Sequence, residues 1–172
     1  MALSNLEDLF HETLRDMYYA EKKLVRTLPK LAKAASNEDL SEAFSSHAEE
    51  TRGQVGRLEE IFKMIEKAAR SKKCPAMDGL IEEGSELLEE AEEDAVKDAG
   101  ILAAAQAVEH YEIARYGALV EWAKLLGHDD AAELLEESLN EEKAADELLT
   151  SLSEVVNSAS NTGDDEDREA AE

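Results

Sequence analysis

The sequence predicts an all-α fold: an antiparallel four-helix bundle with one long connection in the middle of the chain. Three observations predict it. The 172 residues include only two prolines and eight glycines, too few turn residues for most all-β folds. Ala, Glu, Leu, Lys and Arg dominate while aromatics make up 5%, a composition of helix formers rather than strand formers. Apolar residues, 43% of the chain, recur every three or four positions along four long stretches. The length suits one domain with a real core.

The first helix is expected to open at a capping box, Ser4-Asn5-Leu6-Glu7, in which a Ser is followed three residues later by a Glu. Its stripe is Leu14, Met17, Glu21, Leu24 and Leu28, and Pro29 is expected to kink or end it, with Lys30 to Ala35 adding a turn or two. Ser36-Asn37 starts a second helix that runs to about Ala69. Its stripe is Leu40, Phe44, His47, Thr51, Gln54, Leu58, Ile61 or Phe62, and Ile65.

A basic connection, Arg70 to Pro75, leads into a weaker, glycine-containing helix over Ala76 to Ala91. This segment reads as a crossover that returns the chain along the bundle. A third long helix spans about Glu93 to Leu126, with Leu102, Ala105, Glu109, Glu112 or Ile113, Tyr116 and Val120 inward and Gly127 as its C-terminal cap. Asp130-x-x-Glu133 caps the last helix, which reaches about Val156 with the stripe Leu135, Ser138, Glu142, Ala145, Leu149 and Leu152. Residues 157–172 are acidic and aperiodic, a tail expected to be disordered beyond a bundle domain at 1–156. Four long helices with short first and last turns and a long central crossover make a ferritin-like bundle.

Forty-two acidic and 18 basic side chains give a net charge of −24. Such a surface repels phosphate backbones and anionic membranes, so neither nucleic acid nor a membrane is an expected partner. No apolar run reaches a membrane span, and the N-terminus carries acids where a signal peptide needs bases. Cys74 is alone, so no intrachain disulfide can form. A cytoplasmic, reduced setting is the expectation, and the acidity suits a salt-rich, halophilic one.

The informative feature is where carboxylates replace leucines. Each stripe is interrupted near its middle: by Glu21, by His47 with Glu50 three residues on, by Glu109 with Glu112, and by Glu142 with Asp146 one turn beyond. Residues three or four apart share a helix face, and the midpoints of antiparallel helices lie at one level. In so acidic a chain, any one of these falls inward by chance; the coincidence on four helices is what points to metal. Unpaired, the acids would repel and take up protons. Two divalent cations would neutralise them, and an oxygen-rich set with one His suits iron or manganese. Glu141 competes with Glu142 for the inward place. Tyr116, one turn after Glu112, is a candidate to support a ligand or simply to pack, and Gln54, one turn after Glu50, to support a ligand or to take the coordination place a histidine often holds. Gly53 and Gly56 are spaced to allow close helix approach; Met17, Met64 and Met77 read as core filler, Trp122 as a packing anchor, and His11 and His128 as surface residues.

The stretches DMYYAEKKL (16–24), HAEETRGQVGRLE (47–59), CPAMDGLIEEG (74–84), AAAQAVEHYEIARYG (103–117) and LNEEKAADELL (139–149) resemble the YciE/YciF family of stress-induced ferritin-like proteins, over about residues 3 to 155. The resemblance implies a homodimeric helical bundle with a di-iron site. It implies Glu21 and Glu109 as terminal ligands, Glu50 and Glu142 as bridges, and Glu112 as an additional carboxylate. The Glu-x-x-His pair usual in ferritin-like sites is absent; helix two carries the reversed His47-x-x-Glu50 and the last helix Glu142-x-x-x-Asp146. Three functions follow as expectations: a di-iron stress protein reacting with dioxygen or peroxide, a manganese-type peroxide-decomposing enzyme, or a non-catalytic dimeric helical module.

Overall fold

The computed structural model describes residues 3–161 and contains five helices: α1 (Leu6–Ala34), α2 (Glu38–Met64), α3 (Pro75–Glu90), α4 (Asp94–Leu126) and α5 (Asp129–Ser160). Four are long, and α3 is the short helix of the crossover. Residues 162–172, most of the expected tail, lie outside the described residues; Asn157–Ser160 extend α5 by a turn past its expected end.

Local chemistry sets the helix ends. The N-cap of α1 is Asn5, one residue later than the Ser4 capping box implies. Asn5 Oδ1 accepts the Asp8 backbone N–H at 2.7 Å, and Asp8 Oδ2 in turn accepts from Ser4 N and Oγ at 3.1 and 2.7 Å. Asp8 thus does for Ser4 what a capping-box Glu does for its N-cap. Pro29 sits inside α1, which continues to Ala34.

Helix α2 ends at Met64, well short of Ala69, because Glu66 turns into the left-handed region at φ 54°. Lys67 N–H then bonds Phe62 O at 2.9 Å and Glu66 N–H bonds Lys63 O at 3.1 Å, a Schellman closure made without glycine. Gly127, at φ 76°, closes α4 the same way. The N-cap of α5 is His128, whose ring stacks on Phe10 with centroids 5.8 Å apart, so it is a packing residue and not merely a surface one. His11 is likewise half-buried, edge-on to Phe62.

Cross-helix contacts fix the topology. Tyr18–Glu59 and Ser41–Ala32 run in opposite senses along α1 and α2, as do Gln54–Glu141 and Arg57–Ser138 along α2 and α5. Tyr116–Glu21 and Phe10–His128, the last just past the end of α4, do the same for α1 and α4, and Gln106–Thr150 and Lys124–Glu136 for α4 and α5. Each helix therefore lies antiparallel to both of its neighbours in the ring α1-α2-α5-α4, while α2 and α4 are diagonal and parallel. That diagonal placement is what the long crossover permits. Helix α3 covers α4 from outside, with Gly84 against Ala104; a Cβ there would stand 3.2 Å from Ala104 Cβ.

The core is in two parts. One apolar cluster holds Phe10, Leu14, Met17, Leu58, Phe62, Leu119 and Leu135. The other holds Leu24, Leu28, Leu40, Phe44, Met77, Ile101 and Leu149. Met17 and Met77 pack inside as expected, whereas Met64 is half-exposed at the end of α2. Trp122 packs against the first cluster. Gly53 and Gly56 face solvent and bring no helix close.

One anchor has no periodic signal. Asp98, 5% exposed on α4, accepts the backbone N–H groups of Ser36 and Asn37 at 2.9 and 2.8 Å. It pins the α1–α2 turn to the start of α4 through two charge-assisted bonds.

Candidate metal centre

Between the two apolar clusters lies a polar layer. Glu21 on α1, His47, Thr51 and Gln54 on α2, Glu109 and Glu112 on α4, and Ser138 and Glu142 on α5 are all buried. Their burial follows from the stripes: each occupies the place a leucine would hold. Ligand atoms from His47, Glu109, Glu112 and Glu142 all lie within 4.8 Å of one another.

His47 is the hinge of this layer. Its Nε2 faces inward, 3.4 Å from both Glu109 Oε1 and Glu142 Oε2, and its Nδ1 faces outward, 3.1 Å from Glu50 Oε2. Burial favours the neutral ring, but the Glu50 hydrogen bond and the charges of Glu142 and Glu21 outweigh it and hold the imidazole above its ordinary pKa. Thr51 donates to the His47 carbonyl at 2.8 Å.

Glu21 accepts a hydrogen bond from the buried Tyr116 hydroxyl, so Tyr116 supports a carboxylate rather than only filling space. The partner is Glu21 across the bundle, not the nearby Glu112. Glu112, and not Ile113, takes the inward position of α4 and is fully buried. Glu142, and not Glu141, takes that of α5. Glu141 is drawn aside by Arg57 Nη2 and by Gln54 Nε2, the latter at 3.0 Å. Arg57 also donates to Ser138 Oγ at 3.0 Å and Glu137 Oε1 at 2.9 Å. Arg57 carries no stripe signal, since its partners lie 80 or more positions away in sequence.

Three expected ligands fall outside that four-residue group: Glu21, buried in the same layer, and Glu50 and Asp146. Glu50 lies on the flank of α2 with its side chain 48% exposed, outside the buried group. The inward line of α2 passes instead through His47, Thr51 and Gln54. Asp146, half-buried at the edge of the layer, points Oδ1 towards His110 Nε2 at 3.5 Å. Gln54 is fully buried: its amide nitrogen is tied to Glu141, which leaves Oε1 without a partner.

The electrostatics of the layer are unfavourable as it stands. Burial first, then mutual repulsion, pushes Glu21, Glu112 and Glu142 well above the ordinary carboxylate range and Glu109 up to about 8. Glu21 Oε2, Glu109 Oε2 and both oxygens of Glu112 and of Glu142 have no hydrogen-bond partner. Buried polar atoms are normally satisfied, and orphaned carboxylate oxygens cost more than most. Six such atoms from three helices in one buried layer, with Glu109, Glu112 and Glu142 grouped around His47, fit a cation-binding centre. The donors, carboxylate oxygens with one imidazole, are those that iron and manganese favour.

The family described as "Domain of unknown function (DUF892)" matches residues 5–161. Over 156 residues the chain is 51% identical to Protein YciF of Escherichia coli (strain K12), across 88% of this chain and 92% of that protein. The crystal structure of the E. coli stress protein YciF aligns with a TM-score of 0.87 and 48% identity, covering 91% of this chain and 99% of that one. YcfI from Rhodopseudomonas palustris, provisionally called a structural protein, aligns at 0.84 with 50% identity over 86% of this chain and 94% of its own. A protein from Xanthomonas campestris pv. campestris shares the fold, with a TM-score of 0.74 at 23% identity over 90% and 95% of the two chains.

Proposed function

From the premise that this chain belongs to the DUF892 family, which also takes in the E. coli stress protein YciF, we propose that it is a di-metal carboxylate protein of the stress response. Two iron ions, with manganese as the alternative, would be held by Glu21, Glu109, Glu112 and Glu142 together with His47. Two divalent cations match the charge of these four carboxylates. The observation that carries the proposal is the set of buried carboxylate oxygens with no partner within the protein.

When bound, iron in such a setting supplies electrons to dioxygen or peroxide, and manganese supports peroxide decomposition. The chain's own residues provide the surroundings. The Tyr116 hydroxyl fixes one oxygen of Glu21 and leaves the other free. Burial favours the protonated forms of Glu109 and Glu142 in the absence of metal, and loading releases those protons. The apolar clusters on either side of the layer keep bulk water from it. Gln54, buried in the same layer, has an unpartnered Oε1 that would serve as a neutral oxygen donor.

The test is anaerobic titration of metal-free protein with ferrous iron and, separately, manganese(II). About two ions per chain are expected, as in other two-metal sites, with protons released into weak buffer. E109A and E142A are expected to lose the binding. No binding above a buffer control would overturn the proposal. The second reading, a non-catalytic helical module, takes its support from the description of YcfI as a structural protein; it requires the same fold with no metal uptake.

A further inference from the structure

The metal layer is closed by apolar packing above and below, so a cation must reach it from the side. Among the described residues, cavities on two sides touch the layer, and both reach Glu109. The smaller, about 40 Å³, lies under α3 among Leu24, Leu28, Leu80, Ile101 and Val108. A hydrated cation would have to shed its water among hydrocarbon to pass there. The larger, about 140 Å³, opens between α2 and α5 and has His47, Glu50 and Glu109 in its wall. A surface depression with Asp39 and Glu42 in its wall shares Ala43, Ser46 and Leu148 with this cavity. Acidic groups therefore mark the way from solvent to the layer: Asp39 and Glu42 outside, Glu50 at the side of the cavity, and Glu109 inside.

Glu50 differs from the four buried carboxylates in kind. It is about half-exposed and bonded to the outward nitrogen of His47, whereas theirs are buried with orphaned oxygens. His47 spans the boundary, one ring nitrogen on Glu50 and the other facing Glu109 and Glu142. Inside, Glu109 is 2% exposed and its Oε2 has no partner.

We propose that the cavity between α2 and α5 is the cation inlet of the centre, and that Glu50 is its transfer ligand rather than a resident bridge. Glu50 captures a divalent cation from solvent by exchanging its bond to His47 for one to the cation. It then hands the cation inward to Glu109 and the ring of His47. The net negative charge of the chain concentrates cations at such a mouth and speeds their capture. The inference rests on the di-metal reading of the buried layer.

The test is stopped-flow loading of full-length, metal-free protein with cobalt(II), followed by its visible absorbance, with ions per chain measured at equilibrium. E50A is expected to load at least tenfold more slowly yet reach the wild-type stoichiometry. L148W, which adds bulk to the cavity wall, is expected to slow loading likewise. E49A, on the solvent face beside it, is expected to load at the wild-type rate. An unchanged rate in E50A overturns the proposal, and so does an ion missing at equilibrium, since Glu50 would then be a resident ligand. In both cases the buried centre stands. Only failure of the wild-type protein to bind cobalt brings down the centre and the inlet together. Circular dichroism checks that each variant is folded.

Discussion

The Tyr116 hydroxyl on α4 donates to Glu21 Oε1 on α1, both residues fully buried, and so joins two helices of the bundle at the level of the carboxylate layer. Removing the hydroxyl leaves Glu21 with two orphaned oxygens. Y116F is therefore expected to destabilise the metal-free protein by about 1–3 kcal/mol, the usual cost of an unsatisfied buried acceptor. Urea unfolding measures this, and an unchanged midpoint would show that the bond contributes nothing.

The raised pKa values give the metal-free protein a defined pH dependence. A carboxyl whose folded-state pKa lies above its unfolded value binds its proton more tightly in the folded state. Its contribution is full below the unfolded pKa of 4.5 and declines as pH rises; for Glu109 the decline ends at about 8. Stability of the metal-free form is thus expected to fall between about pH 5 and 8, by an amount on the order of 1 kcal/mol or more. General repulsion in an acidic chain acts in the same direction, so the informative control is E109Q, which is expected to flatten the slope. Thermal unfolding across this range provides the measurement; a slope identical in E109Q and wild type would reject the assignment to Glu109.

Glu142 is the carboxylate pressed on by both Glu109 and Glu141. E142Q removes that charge while keeping the shape. The variant is expected to be more stable than wild type without metal, by about 1 kcal/mol above neutral pH, and to bind less metal. Unfolding and elemental analysis of the same preparations would show the two effects moving in opposite directions. A variant both less stable and fully loaded would count against the layer's role.

Asp98 tests a contact unrelated to metal. D98A strips two backbone N–H groups of their charged acceptor at the α1–α2 turn. A loss of about 2–3 kcal/mol is expected, with metal stoichiometry unchanged. Denaturant unfolding and metal analysis together check it.

Metal itself is expected to stabilise the fold. A ligand that binds only the native state adds about 2.7 kcal/mol at a hundred times its dissociation constant. Chelator treatment should lower the thermal midpoint, and restoring iron or manganese should recover it. Equal midpoints with and without metal would favour the non-catalytic module.

Much of this was legible in the sequence. Periodicity alone placed Leu14, Leu24, Leu58, Leu102 and Leu135 in the core, and it placed Glu21, Glu109 and Glu142 among them. It did so because a buried stripe repeats every three or four residues, and a carboxylate in that register has nowhere else to point. The short turns and the long crossover then fixed the antiparallel arrangement.

Which of two neighbours faces the axis was decided only by the tertiary structure. Residues three apart on a helix differ by about 60° in direction, so His47 and Glu50 both fit one stripe until packing against α4 and α5 sets the rotation of α2. That rotation sends Glu50 to the flank and keeps His47 inside, on the stripe that already held Gln54. Glu141 was removed from contention by Arg57, a partner far away in sequence. The Asp98 anchor and the cavity beside Glu50 are likewise products of helices meeting. Sequence determines which residues can be buried, because that depends on a local period; tertiary packing determines which of them meet, because that depends on how each helix is turned against its neighbours.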